Sequence, residues 1–467
     1  MHIDRTKDLT RRALLGRAAA LGGMGGAAPL AMNLASFGEA AAFNATDYKA
    51  IVCIFLYGGN DHANTVVPYD ATNHALYSNI RGSIAYSRND LAATALTPTG
   101  QTLPHGLQYA LSPSLPGLKA LFDQGRLGVQ LNVGPLITPL TAAQYEHPNR
   151  TLYPLPPKLF SHNDQQSVWQ ALGSEGATVG WGGLMGDLAL SSNGLSTMTC
   201  ISAAGNAVFL SGQNALQYQV GSNGAVSIDA LRYIATGNDN VQDALYTLLT
   251  QNRTHLMEEE YSKVVRRSID LQGTVNNAIA PINLTTNFDP NSQNNSLANQ
   301  LKIIARMIGA RNTLGTKRQI YFASLGGFDT HDGLMEDHPG LMARLDEAML
   351  AFYQATLELG VANQVTTFTA SDFGRTLASN GDGTDHGWGG HHFIMGGAVN
   401  GRKFYGTAPT VSIDDDEQVG QGRLLPTTSV DQFAATLARW FGVSNTELPG
   451  VLPNLGNFAT SNLGFMV

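Results

Sequence analysis

The sequence predicts an α/β fold: a doubly wound, mostly parallel sheet with helices on both faces. Three observations carry this reading. The run Ala50-Ile51-Val52-Cys53-Ile54-Phe55-Leu56-Tyr57 is uninterrupted and apolar, and Gly58-Gly59 ends it. Such runs mark strands buried on both faces, as parallel strands are. Two more short segments, at 319–325 and 364–370, read as strands and alternate with amphipathic stretches of helical length, the pattern of a sheet covered on both sides. All three strands run into acidic turns, at Asp61, Asp329 and Asp372.

The remaining elements follow in order. Residues 70–110 are polar and read as loops over the strand ends. Ser114 to Gln124 places Leu115, Leu118, Leu121 and Phe122 on one helical face, and residues 127–133 form the next strand. After the proline-rich stretch 154–157 a helix is expected from about Asn163 to Leu172. Residues 175–240 are rich in Gly, Ser and Asn and read as hairpins and loops inserted in the main fold. A long helical pattern spans about 241–275, an Asn/Thr/Pro linker 281–296, and an amphipathic helix 296–314. Helices at about 340–360 and 430–441 complete the chain, which reads as one domain over 43–467.

Residues 1–42 have a different character. Thr10-Arg11-Arg12-Ala13-Leu14-Leu15-Gly16 fits a twin-arginine signal, a weakly apolar stretch follows, and Ala40-Ala41-Ala42 offers a cleavage site. Arg17, several glycines and Pro29 make the stretch a poor permanent membrane span. The expected destination is the periplasm or the exterior, with the twin-arginine translocation machinery as a partner. Formal net charge is -8 over 467 residues; residues 1–42 hold five basic and three acidic groups, leaving 23 basic against 33 acidic. That balance, with no basic run, excludes a nucleic-acid partner. The two cysteines, Cys53 and Cys200, belong to no C-x-x-C, which excludes a zinc ribbon or dithiol redox motif.

The chemistry-bearing residues cluster in glycine-flanked turns. They read Gly58-Gly59-Asn60-Asp61-His62, Gly326-Gly327-Phe328-Asp329-Thr330-His331-Asp332, Ser371-Asp372-Phe373-Gly374-Arg375 and Asp385-His386-Gly387-Trp388-Gly389-Gly390-His391-His392. In doubly wound sheets ligands bind beyond the carboxyl ends of the strands. Carboxylates and imidazoles delivered there form a ligand set for a divalent cation. The candidate ligands are Asp61, Asp329, His331, Asp372, His386, His391 and His392, with the last three in one loop. His162, His62, His105 and His338 read as supporting or structural. Phe160-Ser161-His162-Asn163-Asp164 opens a helix, so Ser161 is both an N-cap candidate and a candidate nucleophile at the positive end of a helix. Thr65 is the second nucleophile candidate. Arg375 is a candidate clamp for an anionic oxygen or the ion-pair partner of a nearby carboxylate. No G-x-S-x-G, G-x-x-x-x-G-K-[ST] or strand-linked G-x-G-x-x-G is present, so serine-hydrolase, P-loop and dinucleotide readings lack support.

The turns at 326–332, 371–376 and 385–392, the strand into Gly58-Gly59-Asn60-Asp61 and the segment Asn64-Thr65-Val66-Val67-Pro68 resemble a family of exported bacterial proteins. That family is catalogued as domain of unknown function 1501 and grouped with the alkaline phosphatase and sulfatase superfamily. The resemblance implies an alkaline phosphatase-like fold and one or two divalent ions (zinc, manganese, calcium or magnesium). It also implies hydrolysis of a small anionic phosphate or sulfate ester, with Ser161 as nucleophile. Two departures stand out. Phe373 occupies the place where the superfamily usually has histidine after the late-strand aspartate, and the spacing from Asp329 to His331 is short. Either His386 supplies the missing imidazole or one metal position is lost. The alternative function is a cell-envelope binding or assembly protein that kept the fold.

Overall fold

The computed structural model describes residues 45–225, 239–254, 256–291 and 294–467. The signal segment expected at residues 1–42 lies outside them. Twelve strands occur among the described residues: β1 Lys49–Leu56, β2 Val66–Pro68, β3 Tyr109–Leu111, β4 Leu127–Gly134, β5 Cys200–Ser202, β6 Gln217–Gly221, β7 Gly224–Ala225, β8 Arg318–Leu325, β9 Val365–Ser371, β10 Gly390–Gly396, β11 Phe404–Tyr405 and β12 Thr428–Ser429. Ten of them build one sheet in the order β11-β4-β10-β9-β1-β8-β5-β6-β7, with β12 also on β4. The sheet is mixed and mostly parallel. β1 pairs parallel with both β8 and β9, β5 joins β8 and β6 in the same sense, and β10 runs antiparallel to both β4 and β9.

Burial on both faces explains the continuous apolar run of β1. Alternate side chains point to opposite faces. Ala50, Val52, Ile54 and Leu56 enter a core that also holds Leu121, Leu301, Ile304, Leu345 and Phe352, residues of the helices Pro116–Asp123, Ser296–Gly309 and Leu334–Glu358. Phe55, from the other set, stacks on Phe322, which meets Phe209; Phe368 meets Trp181 and Phe433 in the same layer. Trp181–Ala189 and Val430–Phe441 are the helices of that face. The last is closed by a capping box between Ser429 and Gln432, which satisfies two free donors of its first turn.

Three elements differ from the reading of the sequence. The Gly/Asn-rich segment does form short strands and a hairpin, β6–β7, but β5 and β6 pair into the edge of the main sheet. The long pattern at 241–275 is two helices, Asp239–Thr250 and Leu256–Ile279. The helix expected from Gly340 begins six residues earlier, at Leu334, and contains Pro339. Proline there withholds one backbone donor, yet buried Leu334, His338, Leu341 and Met342 hold the first turns in place. Among the described residues no helix is long and apolar enough to cross a membrane.

Candidate metal centre

The carboxyl ends of β1, β8 and β9 lie side by side, because Leu56 is in register with both Leu325 and Ser371. β10 runs the other way, so its first residue, Gly390, sits opposite Val133 near the carboxyl end of β4. Four segments therefore reach one rim: 57–61, 326–332, 372–376 and 384–389. Close packing of these turns depends on two glycines. Gly58 (φ +115°) and Gly59 (φ +82°) occupy conformations that favour glycine. A Cβ on Gly58 would lie 2.4 Å from the Asp329 nitrogen, and one on Gly59 2.4 Å from the Phe373 ring.

Three donor atoms converge there. Asp329 Oδ1 is 3.2 Å from His331 Nε2 and 3.4 Å from His386 Nε2, and the two imidazole nitrogens are 2.8 Å apart. Bonds of about 2.0–2.1 Å to a tetrahedral ion separate its ligand atoms by about 3.3 Å. The two edges from Asp329 match this, and the hydrogen-bonded imidazole pair at 2.8 Å would open by about half an ångström around a cation. His162 lies on the far side of the same carboxylate, with Nε2 3.3 Å from Asp329 Oδ2. One ligand atom from each of His162, Asp329 and His386 falls within 4.8 Å of the others. Asp385 stands 3.4 Å from His331 Nδ1, and the Phe160 carbonyl 2.7 Å from His386 Nδ1, contacts that fix the orientation of both rings.

Asp372 is fully buried. Its Oδ2 meets His162 Nδ1 at 2.6 Å and accepts from Gln166 Nε2 at 2.9 Å and the Gly58 N–H at 3.2 Å. His162 and Gln166 are one turn apart on the helix His162–Ala171, so a single helix face grips the carboxylate. Asp372 Oδ1 is buried without a hydrogen-bond partner among the described residues. Phe373 lies under the group, its ring 4.8 Å from that of His162 and 4.7 Å from that of His386. Phe373 is thus an apolar floor for two imidazoles.

Charge states suit the geometry. Burial pulls the Asp329 carboxyl up, but the Arg375 hydrogen bond and charge, with His162 and His331, bring it below the usual carboxylate range. Burial pulls His386 down, which keeps a lone pair free. The hydrogen bond to Asp372 outweighs burial at His162 and raises its pKa. An anionic carboxylate and a neutral imidazole are the states that bind a cation.

Several expected site residues stand apart from the cluster. Asp61 is committed elsewhere: Oδ1 accepts from the Asn64 N–H, capping the turn His62–Thr65, and Oδ2 takes Arg81 Nη2 at 2.7 Å and the Thr384 hydroxyl at 3.1 Å. The ligand expected after β1 is replaced by a buried ion pair. His391 and His392 belong to β10, not to the loop. Adjacent residues of a strand face opposite ways, so the His391 ring packs on His62 and Tyr109 while His392 meets Trp169. Arg375 does not reach outward as a clamp. Its guanidinium is buried on Asp329, Gly58 and Thr384, which is the ion-pair alternative.

Ser161 precedes the helix but caps no backbone group; its hydroxyl donates to Asp164 Oδ2 at 2.8 Å. Thr65 is buried and donates to the Asp61 carbonyl at 2.7 Å, which removes it as a nucleophile. His162 is the central residue read in the sequence as merely supporting. Its adjacency to Ser161 at a helix start was the available signal. His338 is buried 3.2 Å from Asn60 Oδ1, and His105 is exposed in a short turn.

Comparison with known proteins gives a family and a set of distant folds. Among solved structures the chain is similar to Ps i-CgsB in complex with k-i-k-neocarrahexaose, at 9% identity over 89% of this chain and 75% of that one, with a TM-score of 0.37. It is also similar to the lipoteichoic acid synthase LtaP from Listeria monocytogenes (10% identity, 85% and 72% covered, TM-score 0.31). A third is the PsFucS1 sulfatase from Pseudoalteromonas sp. (10% identity, 88% and 71% covered, TM-score 0.31). No curated protein matches the sequence. The family model described as "Protein of unknown function (DUF1501)" matches residues 48–450. The chain belongs to that family.

Proposed function

We propose that the protein is an exported, metal-dependent hydrolase of phosphate or sulfate esters. The observation that carries this reading is the convergence of Asp329 Oδ1, His331 Nε2 and His386 Nε2 at 2.8–3.4 Å on the rim of the sheet. It lies beside a helix that opens at Ser161. Asp329, His331 and His386 would hold the ion, with His162 across the same carboxylate; two imidazoles favour zinc or manganese over calcium or magnesium. The bound ion would offset the negative charge of the ester and of its transition state.

The chain's own residues supply the rest. The Ser161 hydroxyl, bonded to Asp164, passes its proton to that carboxylate as the oxygen attacks phosphorus or sulfur. The ester oxygen departs as the alcohol or phenol, taking the proton from Asp164. Water then adds to the phosphorus or sulfur, releasing phosphate or sulfate and giving a proton back to the Ser161 oxygen. Asp372 holds His162 through Nδ1 and so directs Nε2 at the reacting region. The test uses purified protein, assayed for bound metal and for hydrolysis of p-nitrophenyl phosphate and p-nitrophenyl sulfate. Ser161→Ala should leave metal content unchanged and lower turnover by roughly a thousandfold or more, since it removes only the attacking oxygen. Full activity in that variant would remove Ser161 from the mechanism.

One observation favours the second reading, a cell-envelope binding or assembly protein. Arg375 spends its donors on the protein, so it is not free to grip an anionic ester. Tight cation binding with no cleavage of either ester would select that reading. Export is part of the same proposal. Changing Arg11 and Arg12 to Lys should leave unprocessed precursor in the cytoplasm, and unaltered delivery in a fractionation experiment would rule out the twin-arginine route.

A further inference from the structure

We propose that Arg375 is a positioning residue that aims both site carboxylates, Asp329 and Asp372, and that Asp61 acts on the centre through it without touching the cation. This rests on the metal-site reading above. At its front, Arg375 Nη1 donates to Asp329 Oδ1 at 3.0 Å and to the Gly58 carbonyl at 2.9 Å. The N–H of that same glycine donates to Asp372 Oδ2 at 3.2 Å. One guanidinium thus fixes the oxygen that faces His331 and His386 and, through Gly58, braces the carboxylate that holds His162.

At its rear, Arg375 Nε meets the Thr384 hydroxyl at 3.0 Å and the Thr384 carbonyl at 3.2 Å. The hydroxyl accepts from Arg375 and donates its proton to Asp61 Oδ2 at 3.1 Å, and Arg81 holds the same oxygen at 2.7 Å. Arg81, Asp61, Thr384 and Arg375 are all buried to 1% exposure or less. The chain Arg81–Asp61–Thr384–Arg375–Asp329 therefore runs through protein interior to the half-exposed carboxylate, with a single hydroxyl at its middle. Interior bonds of this kind are strong and directional because water does not compete with them. Loss of outer-shell partners of metal ligands typically weakens metal binding 10–100-fold.

The test is made at Thr384, which lies at neither end of the chain. Thr384→Val keeps the side-chain shape and leaves Arg375 Nε on the backbone carbonyl, but it breaks the link to Asp61. Cobalt(II) is the probe, titrated into the metal-free full-length protein and followed by its visible d–d bands. The dissociation constant should rise by about tenfold or more and the bands should shift, while Thr384→Ser, which restores the hydroxyl, should return both to wild type. Asp61→Asn should move both readouts in the same direction, and it carries the comparison if the valine variant does not fold. A merely structural chain would lower the melting temperature and leave cobalt affinity and bands unchanged, which overturns the inference alone. A wild type that takes up no cobalt overturns the metal-site reading and this inference with it.

Discussion

Asp329→Ala is expected to lose cation binding and ester hydrolysis together. The carboxylate supplies Oδ1 to the pair His331 and His386 and Oδ2 to His162, so one substitution removes the anion all three imidazoles face. Loss of an outer-shell partner costs 10–100-fold in affinity; loss of this ligand should exceed that, weakening binding by more than about 100-fold. The remaining imidazole ligands supply no negative charge to offset the cation. The fold should survive, because Asp329 is half exposed and Arg375 keeps Gly58 and Thr384 as acceptors. Equilibrium dialysis with zinc and manganese, beside circular dichroism, reads both effects. Retained stoichiometric binding in a folded variant would move the metal site elsewhere.

The second large effect is acid sensitivity. Burial pushes His62 and His338 down to about 4, His392 to about 3 and His391 well below its ordinary value. An unfolded imidazole titrates near 6.5. A group whose folded pKa is depressed contributes stability that is complete above the unfolded value and is lost as pH falls through the folded one. Each of the four therefore costs up to about 1.4 kcal/mol per pH unit below about 6.5. Burial raises the carboxyls of Asp346 and Asp431 to about 6; their effect has the opposite sign and offsets part of the loss between about 6 and 4. Asp61, which burial raises but Arg81 and the nearby histidines bring down to about 2, adds a further loss below about 4. The net expectation is a fall in unfolding free energy on the order of a few kcal/mol from pH 7 to pH 5, read from urea midpoints. A flat midpoint across that interval would show that these rings are not buried neutral.

The centre of the sheet could be read from the sequence because a strand buried on both faces, β1, is an almost unbroken apolar run. β8 and β9 carry buried Gln319, Thr366, Thr367 and Thr369, yet they are legible as short segments that end in acidic turns. β10 was hidden, since Gly389-Gly390-His391-His392 looks like the end of a loop and only its pairing with β4 and β9 makes it a strand. That one boundary decides whether His391 and His392 can share a site with His386. Asp329, His331 and His386 stand out as residue types in turns. The role of Asp61 did not, because its partner Arg81 is twenty residues away on a helix whose orientation only packing sets. His162 was obscured for a similar reason: its carboxylate lies 210 residues downstream.

That separation has a consequence for how the molecule is made. A centre that joins a helix near residue 162 to turns near residues 329, 372 and 386 cannot exist until nearly the whole chain has left the ribosome. Contacts of such high sequence separation form slowly, since the intervening chain must be ordered before they stabilise anything. The reversed strand β10, slotted between β4 and β9, is what finally draws the loop carrying His386 to the rim. Nascent or truncated chains ending before it would hold the carboxylates but have no strand to seat His386 at the rim, so a complete ligand triangle marks a nearly finished molecule.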